Sequence, residues 1–118
     1  MALGSKPETT TVALTSTFTA TLLAVPAANT KRYLKHIRVT NTGAATTFSM
    51  GLHAAAGAPA AGDAGIIALL APIAANSSID IPFGGDGLEM TNGGLPITGG
   101  CTVASGVSAV FNSVLVVA

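Results

Sequence analysis

The sequence predicts an all-β fold: a single-domain antiparallel β-sandwich, jelly-roll-like, with seven or eight short strands. Three observations predict it. Short runs rich in Thr, Val and Ile alternate apolar and polar residues with a period of two. Gly, Asn, Pro and Ser punctuate these runs at regular spacing. No apolar pattern of helical period reaches the length of an ordinary helix.

Residues 1–8 read as a flexible N-terminal arm, and residues 9–118 as the β-sandwich domain. From Thr9 to Leu23 the chain is Thr-rich, and Thr suits a half-exposed strand. Val12 and Leu14 alternate with Thr, as do Phe18, Ala20 and Leu22. The run reads as one long strand, or as two broken near Thr15 and Ser16. Residues 25–30 form a turn on Pro26 and Asn29. Residues 31–40 make the clearest strand, Asn41-Thr42-Gly43 a turn, and residues 46–52 a second strand. The short turn between them predicts a hairpin.

Residues 53–65 are nearly all Ala, Gly and Pro and read as an irregular surface loop. Residues 66–70 suit either a short strand or a helical turn. Asn76-Ser77-Ser78 turns the chain. In residues 79–83, Ile79, Ile81 and Phe83 share one face, with Asp80 and Pro82 on the other. Residues 84–87 make a sharp turn, residues 88–90 a short strand, and Asn92-Gly93-Gly94 another turn. Residues 98–105 and 108–117 read as a closing hairpin joined near Ser105 and Gly106. The nearly continuous apolar run 110–117 is expected in the interior.

The composition narrows the function. Of 118 residues, 49% are hydrophobic, 4% aromatic and 8% charged, and the formal net charge is zero. An ordinary domain carries about 25% charged residues. The apolar content separates the chain from disordered sequences, and the five cations separate it from nucleic-acid binders. So few charges give a free monomer little protection against association, which points to a surface covered by copies of itself or by a partner. The lone Cys101 allows no intrachain disulfide and reads as a small buried hydrophobe. Residues 1–11 lack an apolar core of signal-peptide type, and no apolar stretch is long enough to span a membrane. A soluble protein made in the cytoplasm is expected.

Groups able to do chemistry are few. His36 or His53 with Asp80 is a conceivable start to a triad, but no nucleophile-elbow motif accompanies them. His36, His53 and Cys101 do not repeat at metal-ligand spacing. Asp80, Asp86 and Glu89 flank the Gly84-Gly85 turn, too few for a calcium loop of EF-hand type. The Gly-rich turns lack the Lys and the following helix of a phosphate loop. The reading is a non-enzyme with no cofactor, no metal and no small-molecule substrate.

The charge layout is more distinctive. Lys31, Arg32, Lys35 and Arg38 place four of five cations within eight residues, while Asp63, Asp80, Asp86 and Glu89 follow later. Regular alternation puts Arg32 and Arg38 on a face with Leu34 and His36. Lys31 and Lys35 then share the other face with Tyr33 and Ile37. Lys31, Arg32, Lys35, Arg38, Asp80, Asp86 and Glu89 are therefore candidate subunit-interface residues, the basic strand of one copy meeting the acidic loops of the next.

The segment Leu23-Ala24-Val25-Pro26-Ala27, followed by Tyr33-Leu34-Lys35-His36-Ile37-Arg38-Val39-Thr40-Asn41-Thr42-Gly43, resembles small bacteriophage virion accessory proteins. In these a Val-Pro-Ala turn leads into a strand that ends in Asn-Thr/Arg-Gly. The resemblance continues through Ala74-Ala75-Asn76-Ser77-Ser78-Ile79-Asp80-Ile81 and the terminal strand, and covers about residues 20–118. The loop at residues 53–65 has no counterpart. The resemblance implies a β-sandwich protein of the head or tail, present in many copies, with no catalytic residues. A capsid decoration protein follows as the leading expectation. Its partners would be copies of itself and the major capsid protein or tail proteins, with no nucleic acid and no membrane. It would sit in a virion assembled in the host cytoplasm. A tail, neck or baseplate component is the second reading. A cell-surface carbohydrate-binding module is the third, disfavoured by the absence of Trp and the single Tyr33.

Overall fold

The computed structural model describes residues 5–53, 57–60, 62–103 and 106–117. Nine strands run in order among them: β1 Ser5–Ala13, β2 Thr21–Leu23, β3 Thr30–Asn41, β4 Thr46–Leu52, β5 Ile66–Ile73, β6 Ser77–Pro82, β7 Leu88–Thr91, β8 Ile97–Cys101 and β9 Val107–Val117. They form two antiparallel sheets. Sheet A has the order β1-β9-β3-β6, with β7 also paired to β3. Sheet B has the order β2-β8-β4-β5.

β6 and β7 are two halves of one interrupted edge strand. β6 lies against His36–Asn41 and β7 against Lys31–Leu34. Counted together they give two sheets of four strands. Each of the links β1–β2, β3–β4, β5–β6 and β8–β9 then joins strands at equivalent places in the two sheets. That is the jelly-roll plan, in which successive strands alternate between layers.

Two expected hairpins are therefore absent. β3 does not pair with β4; it pairs with β6, β7 and β9, while β4 pairs with β5 and β8. β8 and β9 likewise lie in different sheets. A tight turn reverses the chain equally well within a sheet and between sheets. At the first corner the buried Asn41 decides the matter. Its Nδ2 donates to Ala44 O at 2.8 Å, Ala74 O at 3.3 Å and Ile73 O at 3.4 Å, and its Oδ1 accepts from the Gly43 N–H at 2.9 Å. One side chain thus satisfies the backbone where the chain leaves sheet A.

Other boundaries also differ from the sequence reading. β1 begins at Ser5, so Ser5 to Glu8 belong to a strand and not to an arm; Met1 to Gly4 lie outside the described residues. Pro7 faces Val114 on an edge strand, where its missing N–H faces no partner. The Thr-rich run is two strands, separated by residues 14–20. Residues 66–70 are strand, extended to Ile73 past Pro72, again on an edge. β9 is a central strand, but only Val107, Ala109, Phe111 and Ser113 are buried; Val110, Val114 and Val116 are half-buried on the other face.

The core lies between the sheets. Leu34, Ile37, Val39 and Phe111 from sheet A meet Phe48, Met50, Ile97 and Cys101 from sheet B, all essentially inaccessible to solvent. On β8 all five residues are buried. A side chain on Gly99 would run into the Ser49 carbonyl oxygen and come within 2.8 Å of Met50 Cα. Two parts of the chain lie against sheet B. Residues 14–20 run beside β8, where the Gly99 N–H donates to Ala20 O at 3.0 Å and the Cys101 N–H to Thr15 O at 2.9 Å. The loop after β4 also packs here, with Pro59 buried and Thr98 Oγ1 donating to Gly57 O at 2.9 Å.

Candidate functional site: the charged strand and the uncharged sheet

β3 carries the charge cluster, and a bulge sets its faces. β9 pairs Leu34 with Ser113 and His36 with Asn112, leaving Lys35 as an extra residue. A bulge of this kind shifts the alternation by one. Arg32 and Leu34 therefore point inward before it, and Ile37, Val39 and Asn41 point inward after it. This corrects the expected faces. Arg32 does not share a face with His36 and Arg38, and Ile37 is separated from Lys31 and Tyr33. The bulge sits where β6 gives way to β7. The Phe83 N–H donates to Lys35 O at 3.0 Å. Gly87, at φ +97°, passes so close to Leu34 that a Cβ would lie 2.5 Å from its carbonyl oxygen.

The acids thought to face a neighbouring copy sit beside β3 in the same chain. Asp80 accepts from Arg38 Nε at 2.8 Å and Nη2 at 3.1 Å, a two-pronged contact, and lies 3.0 Å from His36 Nε2. Glu89 lies 3.4 Å from Lys31 Nζ and accepts from the Tyr33 hydroxyl at 3.1 Å. Lys35 Nζ donates to the Asp86 backbone carbonyl at 2.6 Å, not to its carboxylate. Arg32, only 7% exposed, donates through Nη1 to Glu8 on β1 and to Ser113 Oγ at 3.0 Å, while its Nε is buried with no partner among the described residues. Lys31, Arg32 and Arg38 thus each meet a carboxylate within the same chain. Glu8, which sequence reading placed in the arm, is the residue it missed. Only the pairing of β1 with β9 reveals it.

The hydrogen bonds from the Arg38 guanidinium hold the Asp80 carboxyl below the ordinary carboxylate range, with smaller help from His36. The same contact raises Arg38. His36 and Asp80, the conceivable start of a triad, do meet, but Arg38 occupies the same carboxylate. His53 Nε2 lies 3.5 Å from Asp63, far along the chain from that group. Burial pushes the Cys101 thiol up, and its Sγ donates to Val103 O at 3.3 Å, the environment of an inert structural thiol. Among the described residues no group of three His, Cys, Asp or Glu could hold a metal ion, and no helix is long and apolar enough to cross a membrane.

The second feature is the complement of the first. Nine of the ten charged side chains lie on sheet A or on the turn within its interrupted edge; only Asp63 lies elsewhere, in the loop after β4. The four strands of sheet B carry none.

All four sheet edges are blunted. β1 carries Lys6 and Pro7, β6 ends at Pro82 and the edge is then interrupted, β2 has three residues, and β5 is bulged and contains Pro72. Such edges resist open-ended strand pairing. No family model, curated protein or solved structure matches the chain.

Proposed function

We propose that this chain is a non-enzymatic bacteriophage virion protein, a capsid decoration protein that stabilises the head through many subunit contacts. The observation that carries the reading is the division of charge. One sheet holds nearly every charge and pairs most of them internally, while the strands of the other carry none and Asp63 alone lies in the loop beside it. A surface without charge packs against other protein without desolvating ions. Blunted edges suit a protein kept at high local concentration, because they confine contact to side chains and loops. Each contact is weak alone, and repetition on a lattice makes the sum strong.

The test is quantitative mass spectrometry of purified particles from the phage whose genome encodes the chain, followed by rebinding of the purified chain to stripped heads. Copies in fixed proportion to the major capsid protein, with saturable rebinding, support decoration. A few copies that fractionate with tails move the protein to the tail, neck or baseplate. Absence from particles, with retention on a glycan surface, favours the carbohydrate-binding reading.

A further inference from the structure

Three non-glycine residues have a positive φ: Asn29 at 63°, Asn76 at 54° and Leu70 at 47°. Asparagine tolerates the left-handed region; leucine does not. Leu70 is also 59% exposed, so burial in the core does not account for its choice.

The backbone around it is fixed from below. β4 pairs Phe48 with Ala71 and Met50 with Ala68, so Leu69 and Leu70 together stand opposite Ser49 alone. Ser49 is 1% exposed, and its Oγ accepts the Leu70 N–H at 2.8 Å. A buried hydroxyl thus holds the bulge in a shape that suits glycine, while the sequence places a large apolar side chain there. Leu69, 39% exposed, and the exposed Pro72 flank it. Backbone strain held by surrounding structure marks positions whose side chain has a use.

We propose that the outer side of β5, centred on Leu69 and Leu70, is where two copies of this chain pair about a two-fold axis. The inference deepens the assembly reading and rests on it. The charge layout names the occupant. No charged residue occurs from residue 64 to residue 79, and the four strands of sheet B carry none. A charged partner surface would be stripped of water here with nothing to answer it. Sheet A of a second copy would bring exactly such charges: Lys31, Arg38, Asp80 and Glu89. The sheet B half of a second copy brings only Asp63, which accepts from the Ala60 N–H within its own loop, and a two-fold contact places the same patch on both sides. Such a contact needs about 800 Å² from each partner, about one seventh of this chain's 5885 Å² surface. The bulge and Pro72 prevent a continuous ladder across the axis, so leucine side chains carry the contact.

The experiment is sedimentation equilibrium of the full chain over a concentration series, for the wild type, Leu70→Gly, Leu69→Ser and Arg38→Ala. Thermal melts are taken at dilutions where each is monomeric. The wild type is expected to dimerise. Leu70→Gly should weaken the dimer about tenfold or more, with a monomer melting temperature equal to or above that of the wild type, because glycine relieves the strain. Leu69→Ser should weaken the dimer too, and Arg38→Ala should not. A wild-type-like dimer in Leu70→Gly and Leu69→Ser overturns the inference. So does a lower monomer melting temperature in Leu70→Gly, which would mean that the leucine serves the fold. A wild type that stays monomeric yet saturates stripped heads overturns the pairing and leaves the virion reading standing. A dimer broken by Leu70→Gly in a protein absent from particles supports the pairing and removes the virion reading.

Discussion

Sheets A and B use the same strand geometry and hold together differently. Sheet A is long, with β3 of 12 residues and β9 of 11, and Lys31, Arg32, Tyr33 and Arg38 find partners across its neighbouring strands. Sheet B is short and uncharged, and its centre closes by backbone contact: Gly99 lies against the Ser49 carbonyl and Met50. A sheet with polar partners can keep ions beside its core. A sheet without charged partners must exclude ions and fit closely. The contrast predicts where a single methyl matters more than a whole charge.

The largest effect should come from that methyl. Gly99→Ala has no room, and the obstruction is backbone, which cannot rotate away. The expected loss is about 3 kcal/mol or more of unfolding free energy, measured by urea denaturation. A loss below about 1 kcal/mol would show that β8 has slack and would end the contrast. Next comes the corner that joins the sheets. Asn41→Ala leaves buried carbonyls and the Gly43 N–H without their partner and should cost about 2 kcal/mol. Thr40→Ala, one residue back on the half-exposed face, should stay within about 0.5 kcal/mol. Equal losses at the two positions would remove Asn41's special place.

Much of this architecture is legible in the sequence, and the illegible parts share a cause. Strand positions follow from alternation; Ile79, Ile81 and Phe83 are an example, and all three pack toward the core. The all-β sandwich follows from the number of such runs. What alternation lacks is any record of which sheet a strand joins. Asn41-Thr42-Gly43 and the Ser105-Gly106 region announce reversals and are silent on layer, so both corners read as hairpins. The extra residue at Lys35 is equally silent. Its bulge needs a partner strand to define it, and it exchanges the faces of everything beyond. The charge cluster is legible as a list of residues, but its pairings are not. They depend on β1, β6 and β7 lying in the same sheet as β3.

Glu8 tests the buried end of that cluster. Glu8→Gln keeps the shape and an acceptor oxygen for Arg32 and removes only the charge. The expected cost is about 1 kcal/mol, since Arg32 keeps its bond to Ser113 but loses its counter-ion. Loss of order along β1, read as faster amide exchange at Thr9 to Val12 than at Ile37 to Val39, should accompany it. Unchanged exchange and stability would mean that the ladder to β9 alone holds β1, and that the ion pair is incidental.

The smallest expected effect lies at the exposed end of the same strand. Asp80 is solvent-accessible, so its pair with Arg38 is screened and contributes weakly. The sign is nonetheless fixed. The carboxyl is held below its ordinary value in the folded chain by Arg38. Its contribution is therefore fully present above the unfolded-chain value of about 4 and is lost as pH falls through the folded value. Arg38 stays protonated throughout and adds no slope. Melting temperatures across the acid range should fall less steeply for Asp80→Asn than for the wild type, and the two curves should converge once both side chains are neutral. Added salt should narrow the gap above pH about 5, because the pair is exposed. Parallel acid limbs would mean that the contact contributes nothing. Sheet A's charges would then be tolerated, not used, and the difference between the sheets would rest on packing alone.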